Sequence, residues 1–581
     1  MPRPPTAIRM NNNSPFSLRS TLWIALAFVL YMNYTAWQHD FPSPVAATAF
    51  QSQSAPSKEQ SSLANSIPQT QQSQAGGAAH DATAPVAPPA AAAAGIPAVK
   101  PAAAANAPLV HVHTDVYDID ISTLGGTLQQ VQLLKYAQIK GQAARVQLEN
   151  DASPETVYLL QSGLTGSGDS PYPNHSALFT AARQSYEMDA SGQLRVPLTW
   201  SSGGVTVTKT FVFTKGSYGI GLEYTIQNQG ATPWQAEPYA QIYRDDPRTK
   251  SSYFNPNSNG YHGPAVWDGK YQRLDPSKAD NQHFSATVTN GWIAATQNDF
   301  VSAVVLPQGA PYRFTSEVSG PEYLLTATGP AQTVAPGATA TIQQTLFIGP
   351  TLHAQLGKVS PSLQYVVNYG YLTILAGPLF WLLSKVHALT GNWGVAIVLV
   401  TFLLKLVLYP LSEASGRSMA KMKVLGPRIK NIQETYKDDK EKLGRAMMEI
   451  YKREKVNPVS GCLPMVIQLP VFIAFYWVLL YSAEMRQAPF LFWIQDLSSR
   501  DPYFILPAIM AIAMFVQYKV NPTSPDPAQA KVMMVMPIAM SAMFAFFPAG
   551  LVLYYATNTI LGLAQQWNIN RRVGAATAAH S

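Results

Sequence analysis

A single cysteine, Cys462, stands in a chain of 581 residues. This excludes an intramolecular disulfide and any metal site built from several cysteines of one chain. Set between Gly461 and Leu463 beside an apolar run, it reads as a small buried residue. Charge is also scarce: 13% of residues are charged, with a formal balance of +7, so the position of each charge is informative about orientation. There is no phosphate-binding glycine loop, no HExxH zinc helix and no GxSxG elbow. Catalysis therefore has no visible seat, and no cofactor, nucleotide or metal is called for. His111 and His113 share one side of a strand, but two histidines without a third ligand point to surface or packing roles.

What the chain has in abundance is apolar sequence, unevenly spread. Residues 1–20 carry Arg3, Arg9 and Arg19 and no acid, ahead of the apolar run Thr21 to Trp37, TLWIALAFVLYMNYTAW. Positive charge before an apolar run keeps this end in the cytoplasm and makes 21–37 an anchor helix. A cleaved signal peptide is the rival reading, because Ala47, Thr48 and Ala49 form a small-residue site. That site lies well beyond the apolar core, which favours an uncleaved anchor. Residues 38–108 are rich in Ala, Pro, Gln and Ser and include PPAAAAAGIPAVKPAAAANAP. Such a stretch buries too little to fold and reads as a flexible tether.

Over 109–350 the hydrophobic period becomes two. Ile220, Leu222, Tyr224 and Ile226 alternate with Gly221, Glu223, Thr225 and Gln227, and Val205, Val207, Phe211 and Phe213 repeat the pattern. Many such strands, separated by Gly, Pro, Asn and Asp clusters, predict an antiparallel sandwich outside the cytoplasm.

After Pro350 the pattern turns helical. Tyr371 to Leu389 is apolar but broken by Gly377, Pro378, Ser384, Lys385 and His387. If it spanned, the basic loop further on would fall on the wrong side, so region 351–390 is read as an amphipathic segment in the outer interface, with Trp381 and Lys385 at headgroup level. Spans are expected at 391–411, 464–482, 503–518, 532–547 and 551–567, with a periplasmic loop at 483–502, a cytoplasmic loop at 519–531 and a cytoplasmic tail at 568–581. Between the first two of these, 412–463 holds twelve Lys or Arg against seven Asp or Glu and reads as a cytoplasmic helical hairpin. Its apolar positions are Met419, Met422, Leu425, Ile429 and Ile432, then Leu443, Met447, Ile450 and Tyr451 after the break at Lys437 to Lys440. Several runs have about 16 residues and cover roughly 24 Å, short of a hydrocarbon core of about 30 Å, so the bilayer around them should be thinned.

Within the spans, Lys405 in TFLLKLVLYPL stands out. A lysine at mid-membrane costs about 2.5 to 3.5 kcal/mol, which makes it a functional candidate. Snorkelling is the alternative, since the stem could carry the ammonium to the cytoplasmic headgroups. Thr401, one turn earlier, shares its helix face and favours a polar stripe. Gln468, Gln517 and Asn558 also interrupt apolar runs, where they either line a wet cavity or simply join helices. Met510, Met514, Met533, Met534, Met536, Met540 and Met543 offer a pliable apolar surface or plain core filling.

The segments GNWGVAIVLVTFLLKLVLYPL, SMAKMKVLGPRIK, EKVNPVSGCLPMVIQLPVF, RQAPFLFWIQDLSSRDPYFILP and FPAGLVLYYATN resemble, in order, the membrane core of the YidC/Oxa/Alb insertase family. TDVYDIDISTLGG and VTKTFVFTKGSYGI are similar to the periplasmic domain of its Gram-negative members. The resemblance implies a polytopic α-helical membrane protein with a five-helix core around a hydrophilic groove, an N-terminal anchor helix and a large periplasmic all-β supersandwich domain. That β fold is of the sugar-mutarotase type, a likeness that confers no activity by itself. A positive groove residue, usually arginine in the family, falls on Lys405. Thr401 falls on a groove position, and Tyr503 and Phe504 fall on an aromatic pair linked to substrate contact. The implied partners are nascent membrane proteins, the Sec translocon, membrane lipid and, through the hairpin, the ribosome and targeting machinery; sequence-specific nucleic-acid binding is not implied. After Arg572 only VGAATAAHS follows, which speaks against tail-mediated ribosome binding. A solute transporter would show internal repeats, an intramembrane protease paired acids or a nucleophile with histidine, and an anchored sugar enzyme leaves the helical core unexplained.

Overall fold

The computed structural model describes residues 63–68, 107–150, 157–166, 171–245, 261–297, 299–436, 439–454, 463–520 and 527–578. The expected anchor, most of the tether, the cytoplasmic-loop residues 521–526, Lys437 and Cys462 lie outside the described residues.

The period-two segments form strands with one buried face. In Gly219–Asn228, Ile220, Leu222, Tyr224 and Ile226 are buried while Gly221, Glu223, Thr225 and Gln227 keep contact with solvent. This strand pairs antiparallel with Val205–Thr214 on one side and Thr339–Pro350 on the other, so that Tyr224 stands opposite Lys209 and Ile342. These belong to a nine-stranded sheet; an eleven-stranded sheet lies against it, and their apolar faces share one core. Side chains alternate along each strand, so each sheet contributes every second residue to that core.

One inward position breaks the apolar rule. Lys209 lies on the buried side of its strand, between Val207 and Phe211. Its ammonium donates to the carbonyls of Gly125, Gly126 and Ser162 at 2.8, 2.9 and 2.9 Å. Three carbonyls satisfy its three donors, and burial lowers its pKa to about 7. The side chain thereby ties one sheet to the backbone of the other.

Glu149 is the acidic counterpart. It is fully buried, accepts a hydrogen bond from Ser302 Oγ at 2.7 Å, and burial raises its pKa to about 8, against the pull of Ser302 and Arg244. The folded state therefore holds a proton that the unfolded chain releases above its ordinary pKa near 4.5. It follows that stability contributed by this group is present at low pH and is lost as pH rises toward 8. Lys209 acts in the opposite sense above about pH 7 and His175, lowered to about 4 by burial, does so below about pH 6.5, so the test is the difference in slope between the parent and Glu149→Gln over pH 5 to 7. There, urea unfolding of the β domain within the full chain is expected to lose stability at a slope approaching 1.4 kcal/mol per pH unit from this group. Glu149→Gln should remove that component; an unchanged slope would show that the carboxyl is ionised when folded.

Eight helices of more than ten residues follow among the described residues: α1 Thr373–Thr390, α2 Trp393–Val407, α3 Tyr409–Thr435, α4 Lys440–Arg453, α5 Leu463–Tyr481, α6 Ile505–Val520, α7 Pro527–Phe544 and α8 Ala549–Ala578. The break between α1 and α2 has a local cause. Gly391 adopts φ 66° and its N–H closes α1 on the His387 carbonyl at 2.7 Å, a conformation that only glycine adopts without penalty. Asn392 then caps α2 by accepting from the Val395 N–H at 3.0 Å. The run expected at 391–411 is not one straight helix: α2 stops at Val407 and the chain bends by 62° into α3. At 15 residues, α2 extends about 23 Å. The last apolar run continues as a helix of 30 residues, well past position 567.

By length and composition, Thr373–Thr390 is the one described helix able to cross a membrane alone, or one of two if the bent pair is a single span. The other apolar helices are shorter, but they are apolar on their outer faces as well. Phe402, Leu406 and Val407 on α2, Ile512 and Phe515 on α6, and Val535 and Ile538 on α7 are all exposed. A bundle that is apolar both inside and outside matches lipid rather than water.

In the hairpin, Leu425 and Ile429 of α3 are buried against Met447 and Tyr451 of α4. Asp439 caps α4 by accepting from the Lys442 N–H at 3.0 Å, and Arg428 reaches Glu454 at 3.0 Å. Met419 and Met422 have side chains outside the described set. The β domain is fastened to the helical core at Arg486, which pairs with Asp299 at 3.3 Å and donates to the carbonyls of Ala137 and Gln138 at 3.1 and 3.2 Å. Lys140 completes the join by donating to the carbonyls of Gln487 and Gln495.

Candidate functional site

Helix α8 is the axis of the polar cluster in the core. Tyr554, Asn558 and Gly562 follow at four-residue spacing and form one stripe along it. Three other helices bring polar side chains to that stripe. Gln468 of α5 donates from Nε2 to the Tyr554 hydroxyl at 3.3 Å. Lys405 of α2 and Gln517 of α6 converge on Gly562: a Cβ there would stand 3.7 Å from Lys405 Nζ and 3.9 Å from Gln517 Nε2. The missing side chain thus leaves the space that the two head groups approach.

Asn558 lies between these two ends. Its Oδ1 is buried and has no hydrogen-bond partner among the described residues, as is true of Ser541 Oγ on α7 and Gln565 Nε2 on α8. An unpaired buried polar atom costs about 1–3 kcal/mol.

Four of the seven candidate residues, Lys405, Gln468, Gln517 and Asn558, therefore meet on one helix. The other three do not join them. Thr401 is on the same helix as Lys405, but it is buried and its hydroxyl donates to the Ile397 carbonyl one turn back, at 2.6 Å. That bond satisfies the hydroxyl inside its own helix, so Thr401 does not extend the polar surface. Tyr503 and Phe504 precede α6 at the end nearest the β domain and are 68% and 47% exposed. Tyr503 lines a cleft of about 830 Å³ with Lys140, Arg486, Asp496 and Arg500. Asp501 fixes this corner by accepting from the N–H groups of Tyr503 and Leu506 at 3.1 and 2.7 Å, and from the Trp493 indole at 3.0 Å.

Sequence reasoning missed Tyr554 and Gly562. The signal was their four-residue spacing on either side of Asn558 in YYATNTILG. The methionines divide: Met510 is core, Met514 and Met540 pack against it, and Met534, Met536 and Met543 are exposed; Met533 lies outside the described side chains. His111 and His113 face Asp118 and Asp120, with His111 Nδ1 2.9 Å from Asp120. The hydrogen bond to Asp120 raises the His111 pKa. Among the described residues no group of three or more His, Cys, Asp or Glu is arranged to hold a metal.

An apolar helical core with polar side chains gathered inside it, joined to a two-sheet β domain, defines a membrane protein with a large extramembrane domain. Comparison with known proteins gives the family. Residues 385–576 match the family model described as 60Kd inner membrane protein, and residues 109–382 match that of the YidC periplasmic domain. The membrane protein insertase YidC of Methylobacillus flagellatus is 41% identical over 96% of this chain and 98% of its own. That of Burkholderia cenocepacia is 44% identical over the same shares. A solved structure titled as an active YidC insertase with its first transmembrane domain resolved aligns over 79% of this chain and 94% of its own, with 20% identity and a TM-score of 0.36. This chain belongs to the YidC family of membrane protein insertases, inner-membrane proteins with a periplasmic domain.

Proposed function

We propose that this insertase and chaperone of inner-membrane proteins receives its clients, nascent membrane proteins, at the polar cluster along α8. The observation that carries the reading is the convergence of Lys405 and Gln517 on Gly562 within a bundle that is apolar on its outer faces. Polar groups in a short helical bundle lower the cost of bringing a hydrophilic client segment partway across. The client's apolar helix meanwhile slides along α5 and α7 into lipid. Burial of its apolar surface supplies about 25 cal/mol per Å², and no bond is made or broken, so neither catalyst nor cofactor is needed.

In this reading both termini and the hairpin are cytoplasmic, the β domain is periplasmic, and α1 lies in the outer interface. Its Lys385 ammonium, 5.9 Å from the centre of the Trp381 ring, suits headgroup depth. The spans are α2, α5, α6, α7 and the first part of α8, after the anchor at 21–37. The Sec translocon and lipid flank the exit surface, and the hairpin α3–α4 faces the ribosome and targeting machinery. Reconstitution into lipid vesicles with a single-span client tests the activity: protected, spanning client is expected with the protein present, and equal insertion into protein-free vesicles would overturn the reading.

The hairpin carries its own prediction. Ile429 is 2% exposed in the seam with α4, and proline there breaks α3 at a cost of about 3 kcal/mol. Ile429→Pro should impair insertion of ribosome-delivered clients severalfold while the membrane core stays folded. Normal insertion by this variant would show the hairpin to be dispensable.

A further inference from the structure

One cavity takes no part in the cluster on α8. It is the cleft of about 830 Å³ at the join between the β domain and the helical core, within the range of about 300–1,000 Å³ usual for small-molecule sites. Its lining carries three cations, Lys140, Arg486 and Arg500, and two acids, Asp299 and Asp496. Both acids are already satisfied by the protein. Asp299 pairs with Arg486 at 3.3 Å. Asp496 accepts from the N–H groups of Gln487 and Ser498, both at 2.9 Å, and from the hydroxyls of Ser498 and Ser499 at 2.7 and 2.8 Å.

Among the described residues, Lys140 and Arg500 are left without an acid. Lys140 stands on the turn between the strands Thr127–Ala137 and Arg145–Asn150, and gives two of its three N–H groups to the neutral carbonyls of Gln487 and Gln495. Arg500 is exposed, and its guanidinium has neither a hydrogen-bond nor an ion-pair partner among the described residues. Its backbone is nonetheless fixed, by a bridge to Pro548 just before α8. A guanidinium and an ammonium lining one cavity match the oxygens of a phosphate.

The remainder of the site is amphiphilic. Trp493 and Tyr503 line the same cleft, and such side chains favour the depth of lipid headgroups. From there α6 leads away with Ile505, Ile509, Ile512 and Val516 exposed at 36, 38, 65 and 43%, at spacings of four and three residues that put them on one stripe. From Ile505 to Val516 the helix rises about 17 Å, close to one leaflet of a hydrocarbon core about 30 Å thick.

We propose that this cleft binds the phosphodiester headgroup of an anionic phospholipid of the outer leaflet, with Lys140 and Arg500 on the phosphate and an acyl chain along the α6 stripe. The lipid thereby bridges the β domain, through Lys140, to the helical core, through Arg500. The choice of leaflet rests on the orientation proposed above, while the site rests on its own residues, none of which belongs to the cluster on α8.

The test is native mass spectrometry of the full chain in a non-ionic detergent, titrated separately with dioctanoyl phosphatidylglycerol, dioctanoyl phosphatidylethanolamine, glycerophosphoglycerol and inorganic phosphate. Saturable binding of one phosphatidylglycerol per chain is expected. Phosphatidylethanolamine should bind at least about fivefold more weakly, because its ammonium opposes the excess positive charge. The two chainless anions should bind at least about tenfold more weakly, because they bury no apolar surface. Arg500→Gln should weaken the lipid about tenfold, the worth of a hydrogen bond to a charged group, and Arg500→Lys should stay within about threefold of the parent. Adding Lys140→Gln to Arg500→Gln should abolish saturable binding. Lys385→Gln, which removes a cation at headgroup depth outside the cleft, should change binding by no more than about twofold. Absence of saturable binding to the parent, or parent-like binding by the double variant, would overturn the proposal. So would equal affinity for the two lipids, equal losses from Lys385→Gln and Arg500→Gln, or inorganic phosphate binding as tightly as the lipid, which marks a free-anion site. No client takes part in the measurement, so its failure is distinct from failure of the insertase reading.

Discussion

Lys405→Glu is expected to slow insertion of clients with acidic tails by about tenfold to a hundredfold, and of neutral-tailed clients by no more than about threefold. Two unit charges 4 Å apart interact by about 4 kcal/mol at an effective dielectric of 20 and about 1 kcal/mol in water. A hydrated polar cluster falls between these limits, and each 1.4 kcal/mol is a factor of ten. Lys405→Leu, which removes attraction without adding repulsion, should cost acidic clients about tenfold. Lys405→Arg keeps the charge and should preserve function, although the planar guanidinium fills the space over Gly562 differently. The measurement compares one client with its tail acids present and neutralised, in each variant at matched protein level. Snorkelling makes the contrary forecast: loss of the lysine would change stability or topology without distinguishing client charge. Equal slowing of both tails would therefore remove Lys405 as an attracting charge.

Gly562→Phe should be the most damaging uncharged change, lowering insertion of acidic and neutral clients alike by about tenfold or more. Lys405 and Gln517 approach the space that this glycine leaves open, and an aromatic ring there would displace both head groups. Gly562→Ala is the control. Its Cβ would meet them at 3.7 and 3.9 Å, ordinary van der Waals separation, so it should retain activity within about twofold. Because the two positions share a contact, Gly562→Phe combined with Lys405→Leu should be less harmful than the sum of the separate effects. Strict additivity would mean that the glycine acts elsewhere.

The β domain was legible because its strands bury one face each, which makes a period of two visible in sequences such as Ile220 to Gln227. Lys209 and Glu149 were not legible. Each sits at an inward position where the pattern calls for an apolar residue, and their partners are backbone carbonyls or a serine more than forty positions away. The polar cluster was half legible. A lysine or glutamine inside an apolar run announces itself, but its neighbours depend on how helices pack, and a glycine such as Gly562 matters through what it lacks. Thr401 shows the converse: its spacing from Lys405 is right, yet its hydroxyl is spent on the carbonyl of Ile397. The bend after Val407 was hidden because apolarity continues through Leu408 and Tyr409 while the helix direction does not. The turn at Leu63–Asn65, inside the expected tether, was not legible, since the side chains that bond the carbonyls of Ala64, Ser66 and Pro68 come from Gln161, Gln241 and Thr165, about a hundred or more positions away.

The central claim is that a client's hydrophilic segment passes the cluster on α8. It is tested most directly by placing a photo-activated cross-linker at Gln517 in the full chain and engaging a client arrested during insertion. The account predicts an adduct between position 517 and the hydrophilic segment ahead of the client's apolar helix, with the apolar helix itself captured from Ile538 on the outer face of α7. Capture of the hydrophilic segment from Ile538, with position 517 silent, would contradict it.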